Sequence, residues 1–132
     1  MTRRGAAFTS VNLAYLDRAL VLLASIRQHE PDLDVHVVLV DEPDLAGPVR
    51  HGLEAFDSVI LASELVTKDF NAWVFGYDVV EACTAVKGAA LVHLLTRGYD
   101  EVIYLDPDMA LFGALDTTWE SLERNDVAVT PH

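Results

Sequence analysis

Apolar and polar residues fall into blocks along this chain, and the period of the blocks changes in a regular order. "GAAFTS", Gly5 to Ser10, is a short apolar run broken by polar residues, the pattern of a buried strand ending at Thr9-Ser10. Asn12 then suits an N-cap. Leu16, Ala19, Leu20, Leu23 and Ile26 recur at helical spacing while Asp17, Arg18, Arg27 and Gln28 face away, which predicts a helix to about His29, with Pro31 just past its end. "VHVVLVD", Val35 to Asp41, is β-branched and nearly all apolar, as expected of a strand covered on both faces.

The second half repeats the alternation less cleanly. A weaker helix is expected around "LAGPVRHGLEAF", Leu45 to Phe56, where two glycines and a proline work against it. "SVILAS", Ser58 to Ser63, reads as a third strand, and "ELVTKDFNAWVFGYD", Glu64 to Asp78, fits no clean period. "ACTAVKGAALVHLL", Ala82 to Leu95, predicts a helix closed by Gly98. "EVIYLD" (Glu101 to Asp106) is a fourth strand, "MALF" (Met109 to Phe112) a fifth, "TTWESLERN" a short helix and "DVAVT" (Asp126 to Thr130) a last strand. Strands alternating with helices predict an α/β fold with a mostly parallel sheet flanked by helices, in a single domain over residues 1–132.

Composition narrows the partners. The 132 residues are 52% hydrophobic and 23% charged, enough for one packed core. Nine basic against 21 acidic residues give a net charge of -12, and apart from Arg3-Arg4 the basic residues stand singly, which argues against a nucleic-acid partner. An acidic protein can still bind an anionic small molecule through a divalent cation. The lone Cys83 cannot form an internal disulfide, and in "EACTAVK" it reads as a buried small hydrophobe. Asp17 and Arg18 confine the uncharged N-terminal run to "ALVLLASI", too short to span a bilayer, so a cytoplasmic chain without a membrane span is expected.

In a parallel α/β sheet ligands bind beyond the carboxyl ends of the strands. Thr9, Ser10 and Asn12 follow the first strand, Asp41 the second, and "DPD", Asp106 to Asp108, the fourth. If that segment is extended, Asp106 and Asp108 point the same way, and oxygen-only ligands suit Mg²⁺ or Mn²⁺. Asp-Pro also begins ordinary turns. Thr9 and Asn12 equally fit a helix cap, Tyr15 core packing, Asp41 a turn and Lys87 a solvated helix face. Trp73, Phe75 and Tyr77 could stack on a sugar, although packing is the simpler reading, and Trp119 reads as core.

"TAVK" followed by "GYDEVIYLDPDM" resembles the metal-motif region of GT-A-fold glycosyltransferases, especially family eight and related bacterial nucleotide-sugar transferases. "FTSVNLAYLDRALVLLASIRQHEPDLDVHVVLVDE" is similar to their opening strand, helix and strand. The resemblance implies a GT-A-like, Rossmann-like domain that binds a nucleotide diphosphate sugar, most plausibly a UDP-sugar, for transfer to an unidentified acceptor. It implies Thr9, Asn12, Tyr15 and Asp41 near the nucleoside, Lys87 near the diphosphate or sugar, and Asp106 and Asp108 on Mn²⁺ or Mg²⁺, with Asp106 also approaching the ribose. Gly88 stands where such sequences often carry proline. These enzymes continue into an acceptor-binding half, so the chain is expected to be the donor half, its fold incomplete, and homo-oligomerisation through an open sheet edge is a further expectation. Two alternatives stay open: a non-catalytic nucleotide-sugar-binding or assembly module, and a haloacid-dehalogenase-like phosphatase, whose Asp-x-Asp normally opens the fold.

Overall fold

A computed structural model describes residues 3–41, 50–66 and 69–131. Four strands form one sheet: β1 (Gly5–Val11), β2 (Asp34–Leu39), β3 (Ser58–Leu61) and β4 (Glu101–Tyr104). All three pairings are parallel and the spatial order is β3-β2-β1-β4. The helices are α1 (Leu16–His29), α2 (Arg50–Leu53), α3 (Ala62–Leu65), α4 (Phe70–Phe75), α5 (Val79–Ala85), α6 (Lys87–Thr96) and α7 (Asp116–Arg124), and a 3-10 turn, Leu13–Tyr15, leads into α1. This is the α/β architecture expected, consistent with a Rossmann-like fold.

Strand alternation divides the core in two. Ala7 and Val11 of β1 with Val35, Val37 and Leu39 of β2 meet Ala19, Leu22, Leu23 and Ile26 of α1 on one face. On the other, Ala6 and Phe8 of β1, Val38 of β2 and Ile60 of β3 meet Ala82 of α5 and Ala90 and Leu94 of α6. Both faces of β2 are thereby covered, which is why its sequence is almost continuously apolar. Trp119 of α7 packs, partly buried, against the first cluster.

Several expectations are corrected. The third strand stops at Leu61, and α3 begins at Ala62 inside the stretch expected as strand. The aperiodic stretch holds the end of α3 and all of α4, which is capped by Asp69, whose carboxylate accepts from Asn71 N–H at 3.1 Å. Asp78 and Glu81 form a capping box that starts α5 (2.8 and 3.0 Å). The predicted helix over 82–95 is two helices meeting at Val86, and it ends as expected, with Gly98 in the left-handed region at φ 94°. Of "LAGPVRHGLEAF", only Arg50–Leu53 is helical among the described residues, and residues 42–49 lie outside them.

"MALF" forms no strand: Leu111 N–H donates to Ser25 Oγ (2.9 Å), so side chains of α1 hold the segment in place of a ladder. "DVAVT" also pairs with no strand among the described residues, and Val127 and Val129 are exposed. By length and composition alone, Val79–Thr96 is long and apolar enough to cross a membrane, at a mean hydropathy of 1.4 over 18 residues. In the fold it is α5 and α6, whose Ala82, Val86, Ala90 and Leu94 are buried.

Candidate functional site

The order β3-β2-β1-β4 contains one reversal. The chain steps outward from β1 to β2 to β3, then returns to the other side of β1 as β4. A crevice therefore opens beyond the carboxyl ends of β1 and β4, where the connections leave in opposite directions. A cleft of about 380 Å³ lies there, lined by Ser10, Val11 and Asn12 after β1, Tyr15 and Arg18, the α5–α6 residues Val79, Val80, Cys83, Thr84 and Lys87, and Tyr104, Asp106, Pro107 and Asp108 after β4. The volume suits a small-molecule ligand.

Pleating decides which side chains of β1 reach it. Ser10 shares a face with Ala6 and Phe8, lines the cleft, and donates to Cys83 O at 2.6 Å. Thr9 points the opposite way, 1% exposed, its Oγ1 buried without a partner on the α1 side. It does not line the cleft. Asn12 holds the N-cap position of the 3-10 turn, but its side chain makes no cap bond and its Oδ1 is buried without a partner. The cap comes instead from Asp41, whose Oδ2 accepts from Leu13 N–H at 2.7 Å. Asp41 is therefore engaged in holding the start of the 3-10 turn, and it is not among the residues around the cleft.

Tyr15 is 46% exposed at the cleft, with the Arg18 guanidinium 5.0 Å from its ring centroid. Lys87, the first residue of α6, extends across the cleft: its Nζ lies 4.1 Å from the Tyr104 ring centroid and 3.5 Å from Asp106 Oδ1. Tyr104 O–H donates to that same oxygen at 2.9 Å. Burial, with the Asp106 hydrogen bond adding to it, pushes the Tyr104 phenol well above its ordinary range, so it remains a proton donor to Asp106. Burial likewise raises the half-buried Cys83 thiol, the opposite of what a nucleophile needs.

The Asp-x-Asp segment is not extended. Met109 N–H donates to Asp106 C=O at 3.1 Å, closing a β-turn with Pro107 and Asp108 at its corner. Proline's fixed φ favours that corner, so turn geometry, and not the pleat, sets where the two carboxylates point. Asp106 is half-buried and Asp108 exposed. Among the described residues no cluster of three or more His, Cys, Asp or Glu side chains is disposed to hold a metal.

No family model matches the chain, and no curated protein matches it. The established identification is thus the fold: a small α/β domain with a parallel sheet. Within that domain the cleft brings together Asn12, Tyr15, Lys87, Asp106 and Asp108 of the residues expected from sequence, and leaves out Thr9 and Asp41. Ser10, expected with Thr9 and Asn12 at the end of the first strand, does line the cleft. Sequence reasoning missed Tyr104, which was legible in the two-residue period, two before Asp106. Trp73 stacks on Phe70 at 5.9 Å and packs against the second core cluster, so Trp73, Phe75 and Tyr77 form no part of the cleft lining.

Proposed function

We propose that this domain binds a nucleotide diphosphate sugar, most plausibly a UDP-sugar, in the cleft, as the donor-binding part of a GT-A-like glycosyltransferase. One observation carries the reading: five residues from three separate stretches, Asn12 and Tyr15 after β1, Lys87 at the start of α6 and the pair Asp106 and Asp108 after β4, line a single cleft at the reversal of strand order. The similarity of "GYDEVIYLDPDM" to the metal-motif region of those enzymes supports it from the sequence side.

Two carboxylates and a lysine fit a hard cation that takes its remaining ligands from water and phosphate, and do not fit an all-protein cage. Asp106 and Asp108 would hold Mn²⁺ or Mg²⁺. When bound, that ion stabilises the negative charge that builds on the leaving diphosphate. Tyr104 and Lys87 both engage Asp106 Oδ1, which orients its carboxylate; Lys87 also supplies positive charge toward a diphosphate. Tyr15 offers an exposed ring for a base to stack on. Tyr104 and Cys83 are both pushed up, away from neutrality, so neither is tuned to act as a general base for transfer. That favours, as a second reading, a module that binds the donor without transferring it.

Calorimetric titration with UDP and GDP, with Mn²⁺ and with chelator, on this chain and on Asp108→Asn tests the proposal. Asp108 is exposed, so the substitution should change stability by no more than about 0.5 kcal/mol. Binding of one nucleotide only with Mn²⁺, weakened at least about tenfold in the variant, is the expected result, a difference of about 1.4 kcal/mol. Absence of binding by a folded chain would overturn it.

A further inference from the structure

β2 is apolar except at its start and at His36, which is only 4% exposed. Alternation puts Asp34 and His36 on the α6 face with Val38, at the end of the sheet opposite the cleft. Both imidazole nitrogens are engaged there. Nδ1 lies 2.6 Å from Ser58 Oγ at the start of β3, and Nε2 lies 3.0 Å from the Tyr99 hydroxyl just before β4. The Tyr99 hydroxyl is 2.7 Å from Asp34 Oδ2, and Arg4, just before β1, reaches Asp34 at 3.2 Å and the same hydroxyl at 3.3 Å.

Counting protons fixes the direction of this chain. An ionised carboxylate only accepts, so the single phenolic proton of Tyr99 goes to Asp34. The phenol oxygen must then accept from His36, which places the imidazole proton on Nε2. Nδ1 is left bare and accepts from Ser58 O–H. Ser58 O–H keeps its acceptor on the ring only while His36 is neutral.

We propose that His36 is an acid-sensitive latch: neutral and protonated on Nε2, it ties together the starts of all four strands, and a second proton on Nδ1 releases them. That proton would displace the Ser58 donor bond and put a charge into the core. Asp34 and Asp57 face the ring and favour the charge; Arg4 and His93 oppose it, and Arg97 of the α6 end lines the same cavity. Burial is the largest influence and holds His36 below its ordinary value of 6.5. Tyr99 is pushed up to about 12, first by burial and then by its bond to Asp34, so it keeps its proton throughout. A cavity of about 390 Å³ beside His36, Ser58 and His93 gives protons access.

Because the folded value lies below the unfolded one, the unfolded chain binds more protons between the two. His36's contribution is fully present above about pH 6.5 and is lost as pH falls through the folded value.

Nitrogen-15 NMR of the histidines in the full chain tests both parts. The expected result is an Nε2–H tautomer for His36 and a midpoint below 6.5. An Nδ1–H tautomer, or a midpoint at or above that value, overturns the latch. Guanidinium unfolding at several pH values compares the chain with His36→Gln, which keeps an N–H donor and cannot charge. The folded-to-unfolded ratio of the parent should fall, below pH 6.5, by up to about tenfold per unit more than that of the variant. The other histidines are common to both proteins and cancel. Equal slopes in a folded variant overturn the proposal, and if the variant does not fold, the NMR of the parent decides it.

Discussion

Asp41 and Asn12 exchange the roles that their positions suggest. Asn12 stands where a cap belongs, yet Asp41, a residue from the next strand's end, satisfies Leu13 N–H. Replacing Asp41 by alanine leaves that backbone donor without its charged acceptor and should cost about 1 kcal/mol, read as a lower guanidinium midpoint at unchanged slope. Asp41→Asn should lose less, because an amide oxygen still accepts. If Asp41→Ala instead left stability alone and weakened nucleotide binding, Asp41 would belong to the site after all. The same scale shows why the site was only half legible. Asp106, Asp108 and Lys87 carry chemistry in their residue types, and Thr9 looked equivalent to Ser10 until the sheet fixed which faced the cleft. A slip of one residue in a strand reverses every side chain. The turn at Asp106–Met109 was hidden for a related reason: Asp-Pro is compatible with both a strand end and a turn corner, and the Met109 bond that decides between them is not written in local sequence.

At the scale of elements, what was legible is what burial dictates. β1, β2 and α1 bury stripes of the period expected, so their apolar residues announced them. α4 and the start of α5 went unnoticed because their packing faces are short, although Asp69 and the Asp78-x-x-Glu81 box are start signals. "DVAVT" has a strand's composition and no neighbouring strand, and propensity alone does not make a ladder. α6 allows a sharp test of which stripe holds the sheet. Leu94 is 1% exposed against the second core cluster, whereas the adjacent Leu95 is 42% exposed. Leu94→Ala should cost about 2–5 kcal/mol through lost burial and the cavity left behind. Leu95→Ala should cost less than about 1 kcal/mol, since most of its surface is not removed from water. Chemical denaturation of the two variants side by side checks the register of the helix, and similar losses would mean that Leu95 is also covered.

The whole molecule carries its charge unevenly matched: 21 acidic residues against nine basic ones, a net of -12. Folding gathers that charge into a small volume, so self-repulsion works against the native state. Ion pairs work the other way. Arg4–Asp34, Arg27–Asp57 and Lys87–Asp106 have both partners about a third exposed or more, and pairs so placed contribute about 0–1 kcal/mol each. Salt weakens both effects, since the screening length falls from about 30 Å at 0.01 M to about 8 Å at 0.15 M. The pairs are short-range contacts of 2.7 to 3.5 Å, well inside either length, while the repulsion among unpaired carboxylates acts over the longer distances that salt removes. Repulsion should therefore lose more, and the protein should gain stability, by about 1 kcal/mol or less, on going from low to physiological salt at pH 7. Urea unfolding, which adds no ions of its own, measures it directly. A midpoint that falls as sodium chloride is added would mean that the paired charges outweigh the surplus, and that the acidic residues are arranged far from one another in the fold.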